Sequence, residues 1–263
     1  MNNEGNKTVL AIVAHPDDAE FNCAGTLALL KEKGWKVEIA SMTAGDCGSM
    51  EYDRQEISTI RKKEAADSAN ILDANYHCLD CDDIFLMYDR ETLLKTIELV
   101  RKVRPIIVMT MSPSCYMVDH ETTSRLVQTA CFSSGIINVE TEGTDPYLFI
   151  PYLYYIDPME GKDIYGKEVT PGMIVDISSV IDTKEDMLLC HKSQNNWLSA
   201  HNGMDDYIST MKNLSLKRGF AISVKYAEGF RQHQGHAFPQ HNILKDELES
   251  LVVILEESTE YKL

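Results

Sequence analysis

Between residues 8 and 132 the chain repeats one pattern four times, and no other feature restricts its fold as much. A short apolar, β-branched run is followed each time by a longer helix-like stretch. Runs at residues 8–14, 36–43, 76–79 and 106–111 read as strands. Stretches at 25–33, 54–72, 91–103 and 122–132 read as helices. Gly34 stops the first helix, and Pro105 restricts the residue before it, so the third helix ends near Arg104. Strands that alternate with helices join through right-handed crossovers, which predicts an α/β fold with a mostly parallel sheet and helices on both faces.

After about residue 140 the rhythm breaks. Strands are expected at 152–156 and 173–177, helices at 184–201 and 205–217, and a late edge strand at 252–255. Pro and Gly gather between 143 and 172, which predicts a loop-rich segment. The segment 226–241 also reads as a loop. With no linker or repeat, the expectation is a single domain over residues 1–263 with an elaborated C-terminal third.

Charge narrows the partners. Lys and Arg total 25 against 41 Asp and Glu, a net charge of −16, which disfavours nucleic acid and anionic membrane. No run approaches the roughly 18–20 apolar residues of a membrane helix. The polar N-terminus predicts no secretory signal. Seven scattered cysteines predict reduced thiols and a cytoplasmic location. Cys78 and Cys81 have metal or redox spacing, but no second pair accompanies them.

The first strand runs into Ala14-His15-Pro16-Asp17-Asp18-Ala19-Glu20. In an open parallel sheet, ligands bind beyond the carboxyl ends of the strands. His15 and Asp18 offer an imidazole and a carboxylate suited to Zn²⁺, and Asp17 between them is free to handle a proton. The competing reading is a helix N-cap, which needs one acid and no histidine. A second strand end, at Met111, is followed by Asp119-His120. With His120 the set becomes His, Asp and His, which leaves a fourth position open as in catalytic zinc sites.

The motif at 14–20 resembles the AHPDDE signature of the LmbE/PIG-L zinc-dependent N-deacetylases. Thr43-Ala44-Gly45-Asp46-Cys47-Gly48, the Arg61-x-x-Glu64 helix and His191-Lys-Ser-Gln194 resemble further motifs of that family, in the same order. The resemblance spans roughly residues 8 to 200. It implies a Rossmann-like sheet not used for a dinucleotide and one divalent metal, Zn²⁺, held by His15, Asp18 and His120. It also implies Asp17 as general base, with Arg61, Asp46 and Asp119 facing the substrate. The implied substrate is a small N-acetylated sugar or sugar conjugate, and family members often form homo-oligomers.

One departure stands out. The family reads His-Pro-Asp-His where this chain reads Met117-Val118-Asp119-His120. The first His is implicated in stabilising the oxyanion or protonating the amine, and a thioether has no proton to give. Tyr116, His233 and His236 are the candidate replacements. Two alternatives stay open: an amidase acting on another small amide, and a non-catalytic metal- or nucleotide-binding module using the Gly45–Gly48 turn.

Overall fold

The computed structural model describes residues 7–194 and 207–255. Eight strands form one sheet in the order β3-β2-β1-β4-β5-β7-β6-β8. The parallel half is β1 (Thr8–Val13), β2 (Lys36–Thr43), β3 (Asn75–Cys81), β4 (Ile107–Thr110) and β5 (Tyr152–Ile156). β1 lies inside this half, paired to β2 and β4, and every residue in it is buried. Its side chains divide by the period-2 pleat. Val9, Ala11 and Val13 join one core, and Leu10 and Ile12 join the other, so both faces need helical cover.

That cover comes from α1 (Asp18–Asn22), α2 (Ala24–Glu32), α3 (Arg54–Ile71), α4 (Arg90–Val103) and α5 (Val118–Ser133). α3 begins with a capping box: Asp53 accepts from the amides of Gln55 and Glu56, and Glu56 accepts from the Asp53 amide. α4 ends at Arg104, in a left-handed conformation just before Pro105, where the sequence places the stop. α5 starts four residues earlier than expected, so Asp119 and His120 occupy its first turn rather than a loop.

The C-terminal third adds β6 (Met173–Asp176), α6 (Ile181–Leu189), α7 (Tyr207–Ala221), β7 (Ala227–Gln232), α8 (Ile243–Leu248) and β8 (Val252–Ile254). The helix expected at 184–201 begins at Ile181 but is not continuous: α6 ends at Leu189, the chain breaks the helix at 190–191, and residues 195–201 lie outside the described residues, as does the start of the helix expected at 205–217. The loop expected over 226–241 is corrected: residues 227–232 form a strand wedged antiparallel between β5 and β6. The motif Ala-Glu-Gly-Phe-Arg-Gln carries too few apolar residues to signal a buried strand. It enters the sheet because its charges find partners.

Glu228 shows how. Its carboxylate accepts from the amides of Gly25 (2.9 Å) and Thr26 (2.8 Å) and from the Thr26 hydroxyl (2.6 Å). It also pairs with Lys184 Nζ at 2.6 Å, and both side chains are almost wholly buried. Cys23, the N-cap residue of α2, gives no side-chain cap, so a strand 200 residues away satisfies the orphan amides of this helix. No described helix is long and apolar enough to cross a membrane.

Candidate metal centre and active-site cavity

Loops after β1, β2, β3 and β4 all open at one edge of the parallel half-sheet. They line an open cavity of about 730 Å³, walled on the far side by residues 159–166. His15, Asp18 and His120 come together there, one donor atom of each lying within 4.8 Å of the others. His15 Nδ1 is 3.3 Å from Asp18 Oδ2, and His120 Nε2 is 3.5 Å from Asp18 Oδ1. Donors about 2.0–2.1 Å from one tetrahedral ion lie roughly 3.3 Å apart, so these separations suit a shared ion. Burial lowers the pKa of His120, which keeps the ring neutral and its lone pair available. Burial works against the Asp18 carboxylate, but His120 and His15 hold its pKa well below the usual range.

Asp17 has an unusual backbone. Its φ is 110°, a strained conformation for a residue with a Cβ. It stands at the N-cap position of α1, yet its side chain makes no cap hydrogen bond, so the capping alternative does not hold. The strain is held from outside. Arg61 Nη2 donates to the Pro16 carbonyl at 2.6 Å and lies 3.4 Å from Asp17 Oδ2, while Nη1 donates to the Gly45 carbonyl. Burial pushes the Asp17 pKa up to about 6, against the pull of Arg61. Gly45 has a φ of +64°, and a Cβ there would meet Arg61 Nη1 at 2.0 Å, so glycine is required.

The three residues expected to face substrate behave differently. Arg61 is 4% exposed and lines the cavity, but its guanidinium is occupied with the Pro16–Asp17 turn. Asp46 does not line the cavity: it accepts from Arg54 Nε at 2.7 Å and from the Asp83 amide at 3.0 Å. Asp119 is also outside the lining, and accepts from the Ile84 amide at 2.7 Å. These two acids fix loops rather than present a free carboxylate.

Among the candidate replacements for the missing His, only Tyr116 lines the cavity, edge-on to His120 with ring centroids 5.4 Å apart. His233 and His236 are not in its wall. β7 runs antiparallel to β5, so its C-terminal end leaves the cavity edge, and the His233 amide donates to Leu153 near the start of β5. His233 Nδ1 lies 2.8 Å from the Tyr155 hydroxyl instead. Cys78 and Cys81 lie in β3 and belong to no candidate metal cluster among the described residues.

Two contributors escaped the sequence reading. Tyr207 lines the cavity and stacks on Phe21 with ring centroids 5.2 Å apart. Asp83, just after β3, is buried with Oδ1 3.1 Å from His15 Nε2. It was legible in principle, because an acid after a parallel strand satisfies the rule that selects His15 and His120. The late motif has a visible role too. His191 pairs with Glu20, Ser193 donates to Glu64 of α3 at 2.6 Å, and Gln194 donates to the Gly48 carbonyl at 3.2 Å. Motifs far apart in sequence therefore clasp one another behind the cavity.

Buried polar atoms test whether a cation belongs here. His15 Nε2 and Asp83 Oδ1 have no hydrogen-bond partner although both are buried. Burial disfavours charge on His15, but the nearby carboxylates of Asp119, Asp18 and Asp83 raise its pKa well above the usual value. Four carboxylates, Asp17, Asp18, Asp83 and Asp119, crowd two imidazoles and one guanidinium. Such a pocket favours added positive charge, and its donors are those that zinc accepts.

Residues 10–131 match the family model described as PIG-L, GlcNAc-PI de-N-acetylase. The chain is 28% identical over 235 residues to a diacetylchitobiose deacetylase of Thermococcus kodakarensis, covering 86% of this chain and 82% of that protein. It is 25% identical over 244 residues to a 4-oxalmesaconate hydratase of Pseudomonas putida, covering 87% of this chain and 90% of that protein. Among solved structures, the N,N'-diacetylchitobiose deacetylase from Pyrococcus horikoshii, complexed with its inhibitor MPG, matches with a TM-score of 0.76 and 26% identity. The match covers 90% of this chain and 88% of that one. Over residues 10–131 the chain is thus similar to the PIG-L GlcNAc-PI de-N-acetylases, and over most of its length its fold is similar to that of the Pyrococcus horikoshii deacetylase.

Proposed function

We propose that this chain is a metal-dependent hydrolase that removes the acetyl group from a small N-acetylated sugar or sugar conjugate. One observation carries the reading: a strained, buried acid, Asp17, stands beside a His15/Asp18/His120 donor set in the wall of an open cavity. When bound by those three residues, a divalent ion, for which zinc is the best match, supplies positive charge that acidifies water and polarises a carbonyl. Asp17 takes the proton from the attacking water. Arg61 keeps the Asp17 carboxylate aimed by holding the Pro16 carbonyl. A pKa near 6 suits a group that first accepts a proton and then returns it to the departing amine. Tyr116 is 62% exposed and, as a phenol, keeps its proton at neutral pH, so it donates a hydrogen bond to the developing oxyanion or the amine. The cavity combines apolar walls (Met117, Met159, Tyr207) with polar rim groups (Glu160, Lys162, Asp163), which suits a ring carrying hydroxyls. Seven unpaired cysteines fit a reducing compartment.

Met117 favours a second reading, the addition of water to an activated carbon–carbon double bond, the kind of reaction named for the Pseudomonas putida relative. There, the proton that Asp17 takes from water returns to a substrate carbon. No amine leaves, so no separate acid is required. Incubation with a panel of N-acetylated amino sugars and with unsaturated carboxylates decides between them. The first reading expects new primary amine and acetate in equal amounts from a sugar substrate. Hydrated product without amine would replace it with the second. Chelation is expected to abolish either activity and added Zn²⁺ to restore it; turnover that survives complete removal of divalent ions would end both.

A further inference from the structure

Two candidate donor sets overlap at His15. One is His15, Asp18 and His120; the other is His15, Asp83 and Asp119. They approach opposite ring atoms. Asp18 Oδ2 lies 3.3 Å from Nδ1, while Asp83 Oδ1 and Asp119 Oδ2 lie 3.1 and 3.5 Å from Nε2. A neutral imidazole has one lone pair and one N–H, so it serves one set as ligand and the other as hydrogen-bond donor.

His120 breaks the tie. It belongs only to the set with Asp18, and its Nδ1 is already engaged with Cys115 Sγ at 3.1 Å, which turns Nε2 inward. On the other side, Asp119 Oδ2 already accepts from the Ile84 amide. Asp83 is anchored as well, through Oδ2 on the Cys47 amide at 3.1 Å, which leaves Oδ1 without a partner and facing His15. We infer that Asp83 is the positioning residue of the metal centre: its carboxylate faces His15 Nε2, keeps the ring hydrogen on that nitrogen as a donor, and thereby commits Nδ1, with Asp18 and His120 Nε2, to the cation. Metal-bound histidines commonly rely on such a carboxylate at the other ring nitrogen. The Asp46 carboxylate, which accepts from the Asp83 amide, holds this loop in turn. The inference rests on the metal-dependent reading above.

The test is metal binding by chelator-treated protein, with Zn²⁺ followed by calorimetry and Co²⁺ by its visible absorption bands. Wild type is expected to bind one ion per chain. Asp83→Asn keeps an acceptor oxygen but loses the charge, and is expected to bind about tenfold more weakly. Asp83→Ala loses both and is expected to bind about a hundredfold more weakly. In both, the cobalt bands should keep their positions, because no ligand has changed. Asp18→Asn should shift or abolish them. A thermal unfolding curve in chelator, matching wild type, separates positioning from misfolding. An unchanged affinity in Asp83→Ala overturns the inference. So does a second ion in wild type that Asp83→Ala loses, since Asp83 would then be a ligand, or cobalt bands that move with Asp83 and not with Asp18. Failure of wild type to bind either ion would remove the functional proposal itself, a distinct result.

Discussion

Asp17→Asn is expected to lower kcat by about 10²- to 10⁴-fold while one divalent ion per chain stays bound. The amide preserves the size of the side chain, so Arg61 still reaches the Pro16 carbonyl and the φ of 110° survives. What disappears is the lone pair that accepts the proton from water. The same group predicts a pH effect. Burial raises the Asp17 pKa to about 6, and only the ionised carboxylate is a base, so activity rises with pH through that region. A bound cation nearby favours the ionised form and moves this limb to lower pH, not higher. The measurement is kcat against pH for wild type and Asp17→Asn, with metal content determined on the same samples. A variant that keeps the acidic limb and full turnover would show that the base lies elsewhere.

The largest expected stability effect is far from the cavity. Glu228→Ala leaves the Gly25 and Thr26 amides, the Thr26 hydroxyl and the Lys184 ammonium without their partner, all in a buried setting. Breaking one side of a buried pair costs about 3–5 kcal/mol, a large part of the ~5–15 kcal/mol that holds most domains together. The expected outcome is a drop in Tm of roughly 10 °C or more, or failure to accumulate folded protein. Lys184→Met should be milder, because Glu228 keeps three donors at a helix N-terminus. The double variant Glu228→Leu with Lys184→Met separates the ion pair from the cap. If the pair alone matters, the double variant recovers stability; if the cap matters, the α2 amides remain orphaned and it does not. Thermal unfolding by circular dichroism reads all three.

Much of the parallel half is visible in the sequence because β1 and β4 are buried on both faces and must be apolar throughout. The His15, Asp18 and His120 convergence follows from that topology, since adjacent parallel strands deliver their carboxyl ends to one edge. β7 was hidden for the opposite reason. Glu228 and Arg231 look solvent-exposed in sequence, and only tertiary partners, Lys184 with α2 for one and Ser112 for the other, make their burial tolerable. His233 and His236 were misplaced as a result, because strand direction decides which end of the sheet a residue reaches. Arg61 does line the cavity, but its side chain also serves the backbone. A guanidinium suits an anionic substrate, but here the Gly45 turn and the Pro16 carbonyl claim it first. Asp83 was overlooked between the Cys78/Cys81 pair and the hydrophobic residues that follow, though its position after β3 was enough to mark it.

The wedge of β7 between β5 and β6 also dictates the order in which the molecule can be assembled. Strands β1 to β4 can pair once about 110 residues exist, but β6 has no seat in the sheet until β7 arrives more than 50 positions later. During synthesis the exposed flank of β5 must therefore wait, with the N-terminus of α2 still bare, for a segment near the end of the chain. A nascent chain halted before residue 227 would therefore expose a naked strand edge open to aggregation.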